Sequence, residues 1–234
     1  MRKTIIKEFE EFKKIHGQKA FLRLALFLNN FREKYQKEKM LNYLKEGYDE
    51  IQAQNKSRQS WVAFLGRQLE NIIILFLEDL SRELGFKILK GDQLKSEKLP
   101  YELSLVRRKI EVHFSEYSML PDADIILYRN LNNDIEVIAI LSVKNSFRER
   151  YTETPYWKIK LSQNEVTKTI KVFMITPDND DEIAYLGKGQ PSKARIVMEY
   201  ELDSIYLARE NFDASEKIKS LENLLLDLSG LIKK

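Results

Sequence analysis

Two aspartates and a lysine stand at the ends of two apolar segments, and their types suit chemistry on a phosphate ester. Asp122 and Asp124 lie in the segment LPDADIIL, directly before a run of apolar residues. Lys144 closes the later apolar run DIEVIAILSVK. A lysine with apolar neighbours is costly unless a carboxylate or a phosphate pairs with it. The sequence therefore suggests acidic groups and a cation gathered at one place.

The alternation of side chains along these two segments predicts how the three residues approach one another. With a period of two, Asp122, Asp124, Ile126 and Tyr128 share one face of the first strand. On the second strand, one face carries Glu136, Ile138, Ile140, Ser142 and Lys144, and the other carries Ile135, Val137, Ala139, Leu141 and Val143. Both faces are mostly apolar, which predicts a central strand. The turn Asn132-Asn133-Asp134 predicts an antiparallel pair, with Asp122 or Asp124 near Ser142 and Lys144.

Such a cluster suits the hydrolysis of a phosphodiester bond. A carboxylate-bound Mg²⁺ polarises the phosphate and lowers the pKa of a bound water. A lysine beside it can position that water or stabilise the developing negative charge. The alternative is an ordinary strand whose terminal lysine extends to solvent after a turn-forming Pro-Asp pair. Hydrolysis is the working hypothesis because both strands support it.

The same residues resemble the signature of a known nuclease family. PDADIIL followed by a strand ending in SVK resembles the PD-(D/E)XK motif, and KNSFRER resembles a run found in several type II restriction enzymes. The acid two residues before the lysine is missing, and Ser142 stands in its place. This Ser-x-Lys variant is characteristic of restriction endonucleases that cut CCGG-type sequences, where a carboxylate from elsewhere replaces the missing acid. The resemblance implies a Mg²⁺-dependent type II restriction endonuclease.

Two glutamates are candidates for the replacing acid. Glu70 lies at the edge of an apolar helix face, and it matches the glutamate that the resembling enzymes carry on a helix before the catalytic sheet. Glu153 follows the Arg-Glu-Arg run. Glu70 could instead pair with Arg67 at the helix border, and Glu153 could be a surface loop residue. The expected metal ligands are therefore Asp122, Asp124, Glu70 and Glu153, and the choice between the two aspartates stays open.

Arg148, Glu149 and Arg150 are the candidates for reading the DNA sequence. Arginine can donate two hydrogen bonds to guanine, and glutamate can accept one from the cytosine amino group. Their position directly after the catalytic strand places them beside the scissile phosphate, which predicts a G·C-containing site. The alternative is a solvated, salt-bridged charge cluster.

Helices are predicted first along the chain, and strands follow. Helical spacing from Ile5 ends at Gly17, and helices are predicted over residues 20–37, 39–53 and 61–84. The polar segment 52–59 is interpreted as a connection, with Ser57 or Ser60 as the helix cap. Gly85 is the expected stop of the long helix.

After Gly85 the apolar pattern becomes that of strands. The predicted strands are FKILK, KIEVHF, ADIILYR, DIEVIAILSVK, TIKVFMIT, ARIVMEY and SIYLA, and helices are predicted over residues 155–168 and 215–231. We expect an α/β fold with a restriction-endonuclease-like mixed central sheet flanked by helices. Residues 1–56 are predicted to form an N-terminal helical region, and residues 57–234 the nuclease domain.

Composition excludes several kinds of site. The 234 residues contain no cysteine and two histidines, so thiolate sites are excluded and a zinc site is disfavoured. Any metal would be a hard cation bound by carboxylates, and Mg²⁺ is the expected cofactor. The longest apolar run, residues 72–77, falls short of a bilayer span, and the first residues do not resemble a signal peptide. We expect a cytoplasmic protein with no membrane and no nucleotide cofactor.

The expected partners are double-stranded DNA and a second copy of the chain. A palindromic duplex has two-fold symmetry, and cutting both strands requires two active sites related by that symmetry. Three alternatives stay open: a repair, junction-resolving or modification-dependent nuclease of the same fold, a catalytically inactive DNA-binding protein, and a helical interaction protein. Cleavage at a fixed site, binding without cleavage, and absence of duplex binding would separate them.

Overall fold

A mixed sheet of six strands separates two layers of helices, which confirms the expected fold class. The computed structural model describes residues 2–132, 134–187 and 189–233, without the side chains of residues 2–4, 148 and 149. One layer contains α1 (Arg2–His16), α2 (Leu24–Lys45), α3 (Glu50–Leu84) and α7 (Asn223–Ile232). The other contains α4 (Tyr101–Ile110), α5 (Glu153–Ser162) and α6 (Lys193–Glu201).

The strands run in the order β1-β4-β5-β6-β7-β8, so β5, which leads into Lys144, is central, as its two apolar faces predict. β1 and β5 are antiparallel to β4, whereas β5 to β8 are parallel. A separate hairpin is formed by β2 and β3. The bounds are β1 Lys87–Lys90, β2 Val112–Phe114, β3 Tyr117–Met119, β4 Ile125–Leu131, β5 Asp134–Val143, β6 Lys171–Thr176, β7 Ser204–Leu207 and β8 Ile218–Ser220.

The breaks between the N-terminal helices differ from those predicted. The break expected between the helices over 20–37 and 39–53 is absent: α2 is continuous from Leu24 to Lys45, because no glycine or proline interrupts the chain before Gly47, and residues 50–53 belong to α3. The connection expected at 52–59 lies inside α3, so the prediction of Ser57 or Ser60 as a cap was wrong. Asp49 is the cap, and its side chain accepts a hydrogen bond from the backbone N–H of Gln52 at 2.8 Å. The predicted stops at Gly17 and Gly85 are confirmed.

Helix α3 is the centre of the first apolar layer. By length and composition alone it could cross a membrane, but half of its most apolar window is buried inside the protein. Leu69, Ile72, Ile73 and Leu77 are fully buried against the sheet and its neighbouring helices. The core helix of a globular protein has this composition. The domain boundary predicted at residue 56 falls within this helix.

The strict alternation expected along the hairpin of β4 and β5 is interrupted by a bulge. Leu127 pairs with Ala139 and Tyr128 with Val137, so Ile138 has no partner on β4. As a result, Val137 faces the same apolar cluster as Ile140, and Ile138 faces the opposite one. Ile140, Ser142 and Lys144 therefore share a face as predicted, but this face does not include Ile138.

Four further assignments are corrected by the structure. ARIVMEY forms α6 rather than a strand: Ser192 caps it, and a parallel crossover from β6 to β7 requires a connecting element such as a helix. KIEVHF is divided between the end of α4 and β2. The helix expected over 155–168 is α5, which begins earlier and ends at Ser162. In the last predicted helix, Ile218–Ser220 is an edge strand, and only α7 is helical.

Candidate active site

The side chains of Asp122, Asp124 and Lys144 meet at one end of the central strand, as the sequence predicts. The Lys144 Nζ atom lies 3.2 Å from Asp122 Oδ2 and 3.1 Å from Asp124 Oδ2. The backbone N–H of Lys144 donates to the carbonyl of Ile175 on the neighbouring strand at 3.1 Å. The lysine is therefore held by β6 through its backbone and by the two carboxylates through its ammonium group.

The two aspartates differ in their surroundings. Asp124 also accepts a hydrogen bond from the backbone N–H of Val143 at 2.7 Å, and its side chain is 17% exposed. Asp122 is 44% exposed. Burial acts to lower the pKa of Lys144, but the carboxylates of Asp124 and Asp122 outweigh it and raise that pKa above its ordinary value. Lys144 is thus a cation at neutral pH.

A close approach of two backbone segments fixes the position of the aspartates. The N–H of Gly91 donates to the carbonyl of Asp124 at 3.1 Å. A Cβ atom at Gly91 would overlap the carbonyl oxygen of Ala123, which lies between the two aspartates. Only glycine allows the end of β1 to approach the start of β4 so closely.

Glu70 reaches this end of the sheet from α3. Its carboxylate lies 2.9 Å from Lys90 Nζ, and both side chains are less than one fifth exposed. Burial raises the pKa of Glu70 despite the neighbouring Lys90, and the negative charge of Asp124 raises it further. The suggested pairing with Arg67 is therefore replaced by a pairing with Lys90.

Ser142 forms a buried contact between β5 and α5, and Glu153 lies next to that contact along the chain. The hydroxyl of Ser142 is fully buried and accepts a hydrogen bond from Thr154 Oγ1 at 2.9 Å. Glu153 is the first residue of α5, partly exposed and next to Thr154. Within the described part of the chain, Lys144 forms ion pairs with the two aspartates and not with Glu153.

The segment proposed to read DNA follows β5 as a short 3₁₀ helix, Arg148–Thr152. The side chains of Arg148 and Glu149 lie outside the described residues, and Arg150 is exposed. Just before the turn, the backbone N–H of Phe147 donates to Asp180 at 2.8 Å, and Asn179 bonds Asn145 through both backbone and side chain. The loop after β6 therefore holds the segment that leads to the arginines.

The described residues contain no group of three or more histidine, aspartate or glutamate side chains arranged to hold a metal ion. Asp122, Asp124, Glu70 and Glu153 are thus not gathered into one ligand set. The two aspartates nevertheless present adjacent carboxylate oxygens at the end of a rigid strand pair. Mg²⁺ takes one or two protein carboxylates and keeps several waters, so this donor set fits it.

Comparison with known proteins identifies the family. The family model described as BsaWI restriction endonuclease type 2 matches residues 102–227, which is more than half of the chain. The chain belongs to this family of type II restriction endonucleases. The matched region runs from α4 to α7 and includes the aspartates, Lys144 and the Arg-Glu-Arg turn.

Two relatives carry the names of type II restriction enzymes, and a solved restriction endonuclease shares the fold. A protein of Methanocaldococcus jannaschii named as type II restriction enzyme MjaVIP is 44% identical over 90% of this chain and 94% of its own length. A Helicobacter pylori protein named as type II restriction enzyme HpyAORF263P is 45% identical over 79% of this chain and 94% of its length. The restriction endonuclease PspGI, in complex with substrate DNA, superposes with a TM-score of 0.57 at 12% identity, covering 99% and 93% of the two chains. This BsaWI-family protein is therefore a DNA nuclease with the restriction-endonuclease fold.

Several supporting residues of this BsaWI-family protein were missed by sequence reasoning. Lys90, Gly91 and Thr154 contact predicted site residues but were not singled out. The same holds for Asn179 and Asp180, which bond to Asn145 and Phe147 in the segment between Lys144 and Arg148. The sequence could have pointed to Lys90 and Gly91 as candidates, because they end a short apolar strand in the way that Lys144 ends a longer one. The other three lie in segments whose partners are fixed only by the folded chain.

Proposed function

We propose that the protein hydrolyses phosphodiester bonds of double-stranded DNA, with Mg²⁺, at a short palindromic site containing G·C pairs. The observation that supports this proposal is the convergence of the Asp122 and Asp124 carboxylates on the ammonium of Lys144. Hydrolysis of a phosphate ester needs carboxylates that bind a hard cation, and it needs a positive group that contacts the phosphate oxygens. At the end of β5, the aspartate carboxylates lie within hydrogen-bond distance of the lysine ammonium group.

The residues of the site have distinct roles in this proposal. Asp122 and Asp124 would hold Mg²⁺, which supplies Lewis-acid polarisation of the phosphate and a more acidic bound water. Lys144 donates hydrogen bonds to the phosphate oxygens and stabilises the charge that develops on them. Glu70 and Glu153 are the proposed sources of the additional carboxylate, and the negative charge of Asp124 contributes to the raised pKa of Glu70. Ser142 keeps β5 joined to α5 through Thr154.

The proposed recognition of DNA uses the turn after β5. Arg148 and Arg150 would each contact a guanine, and Glu149 would accept from a cytosine amino group or brace the arginines. The hydrogen bonds from Phe147 to Asp180 and from Asn179 to Asn145 restrain the start of this turn. A restrained turn beside Lys144 would couple base recognition to the position of the scissile phosphate.

The direct test is cleavage of phage DNA by the purified protein, with and without Mg²⁺, followed by sequencing of the product ends. We expect fragments with a common terminal sequence, and EDTA should prevent their formation. Lys144→Ala should lower the cleavage rate by about 10²-fold or more, since a positioned catalytic group contributes about 10²–10⁴-fold, while duplex binding persists. Binding without cleavage by the unmodified protein would instead indicate an inactive DNA-binding protein, and cleavage without a common end would indicate a nuclease of another kind.

A further inference from the structure

The hairpin that precedes the catalytic aspartates carries an apolar face that extends beyond the core. Val112 pairs with Met119 and Phe114 with Tyr117, so these four side chains share one face of the hairpin. Val112 is buried and Phe114 is partly buried against the apolar core between the sheet and the layer of α4, α5 and α6. Tyr117 and Met119 continue the same face but are 68% and 52% exposed. The described residues leave the outer half of this face uncovered.

Helix α5 continues this face with a lysine and a second exposed tyrosine. Lys160 Nζ lies 5.5 Å from the centre of the Phe114 ring and 5.7 Å from that of Tyr156. Tyr156 is 44% exposed. We refer to Phe114, Tyr117, Met119, Tyr156 and Lys160 together as the aromatic rim. It combines flat, exposed rings with one cation held among them.

Both ends of the aromatic rim are joined to the active site by short stretches of chain. Met119 precedes Asp122 by three residues, so their Cα atoms are at most about 11 Å apart. Tyr156 follows Thr154 by two residues, and Thr154 bonds Ser142 on the catalytic strand. A DNA strand whose phosphate lies at Lys144 would therefore have its next nucleotides within reach of the rim.

We propose that the aromatic rim binds the nucleotides that flank the scissile phosphate. Tyr117 and Met119 pack against their bases or sugars, and Lys160 neutralises a neighbouring phosphate. Aromatic side chains interleaved with a cation are suited to nucleic acid, because sugars and unstacked bases present apolar faces and each nucleotide carries a negative charge. The proposal rests on the proposed function, since it requires DNA to be bound at Asp122 and Lys144. Continuity with that site favours DNA over a second protein copy as the occupant.

The test compares the double variant Tyr117→Ala/Met119→Ala with Tyr101→Ala. Tyr101 is a matched control, because it is 74% exposed and lies at the opposite end of β5, beside Asp134. All proteins carry Lys144→Ala so that the probe is not cut. The probe is a fluorescein-labelled 30-base-pair duplex containing the cleavage site mapped on phage DNA, with binding followed by anisotropy. The double variant should bind about fivefold more weakly or worse, since one stacked base is worth about 1–3 kcal/mol, and Tyr101→Ala should bind normally.

A second arm uses duplexes with one abasic position near the cut. In the parent protein, one such position should weaken binding, and the double variant should no longer respond to it. Equal binding by the double variant and the Tyr101→Ala control would overturn the proposal. So would a loss of binding that sedimentation traces to dissociation of two protein copies. The proposed function fails separately, if the unmodified protein cuts no DNA.

Discussion

At the scale of single residues, the two aspartates of the site are distinguished by one hydrogen bond. Asp124 accepts the N–H of Val143, whereas the more exposed Asp122 pairs with Lys144. Asp124 thus joins β4 to β5 as well as facing the lysine. Its removal should affect both folding and cleavage, and the removal of Asp122 should affect cleavage alone.

This difference leads to a prediction on stability. Asp124→Ala should lower the free energy of unfolding by about 1.5–3 kcal/mol, the usual worth of a hydrogen bond to a charged group, and should reduce cleavage. Asp122→Ala should reduce Mg²⁺-dependent cleavage with little change in stability. Urea unfolding and single-turnover cleavage of the two variants measure both effects. Normal cleavage by both variants would place the metal site elsewhere.

The arginines of the turn after β5 carry a second prediction at this scale. Arg148→Ala and Arg150→Ala should each lower cleavage of the cognate site by about 5- to 150-fold, the equivalent of about 1–3 kcal/mol at one base pair. Binding to random duplex should change little. Arg82→Ala is the control, because this exposed arginine pairs with Asp79 near the far end of α3. If both variants keep the cognate preference, another element reads the sequence.

The convergence of the two aspartates on Lys144 could be predicted from the sequence because local rules determine it. A period of two and an antiparallel hairpin bring Asp122 and Asp124 to Lys144. The partners of Glu70 and Phe147 could not be predicted in this way. Lys90 and Asp180 reach them from 20 and 33 residues away along the chain, through packing that no local pattern encodes.

At the scale of elements, the contact between the end of β1 and the start of β4 is sterically tight. Gly91→Ala should force the two segments apart, displace Asp122 and Asp124, and lower both stability and the cleavage rate. Gly66→Ala is the matched control, because nothing lies within 4 Å of a Cβ atom there and the residue is inside α3. That change should stabilise the protein by up to about 1 kcal/mol. Thermal unfolding and cleavage assays of both variants test the prediction, and an active, stable Gly91→Ala protein would contradict it.

One half-buried carboxylate links α5, β6 and the start of β7. Asp203 pairs with Lys158 and Lys171 and accepts the N–H of Val172. Burial acts to raise the pKa of Asp203, but these partners outweigh it and hold the pKa below its ordinary value of 3.8. A lowered pKa in the folded state means that the stabilisation is complete at neutral pH and is lost as the pH falls below about 3.8.

Asp203→Asn should therefore be less stable than the parent protein at pH 7, by about 1–3 kcal/mol. The difference should shrink when unfolding is measured at pH 3, below the ordinary pKa of 3.8, because the unfolded chain then binds a proton more readily than the folded carboxylate does. Denaturant titrations at the two pH values provide the measurement. A difference that is the same at both would show that the charge of Asp203 does not contribute.

Element types were predicted well where the apolar period was long and poorly where it was short. The seven residues ARIVMEY carry β-branched and aromatic side chains and suit a strand locally, yet they form α6. The deciding factor is the parallel register of β6 and β7, which is a property of the whole sheet. The bulge at Ile138 is similarly invisible to alternation, because both faces of β5 are apolar.

At the scale of the whole molecule, we predict a homodimer with one active site for each DNA strand. A plasmid with a single site should then be converted from supercoiled to linear form in one binding event, with little nicked intermediate. Heterodimers assembled with excess Lys144→Ala should produce mainly nicked circles. Gel analysis of the time course measures this, and sedimentation gives the oligomeric state. Accumulation of nicked DNA by the unmodified protein would contradict two coupled sites.

Helix α3 also limits how far this enzyme can be shortened by protein engineering. Its 35 residues extend for about 52 Å, with Glu70 beyond the midpoint and Trp61 and Phe64 earlier along the helix. These two rings pack on Phe31 and Tyr35 of α2. Deleting α1 and α2 would expose Trp61 and Phe64 on the same helix that carries Glu70. A minimal catalytic fragment would therefore need polar replacements along α3 before it could be produced without aggregation.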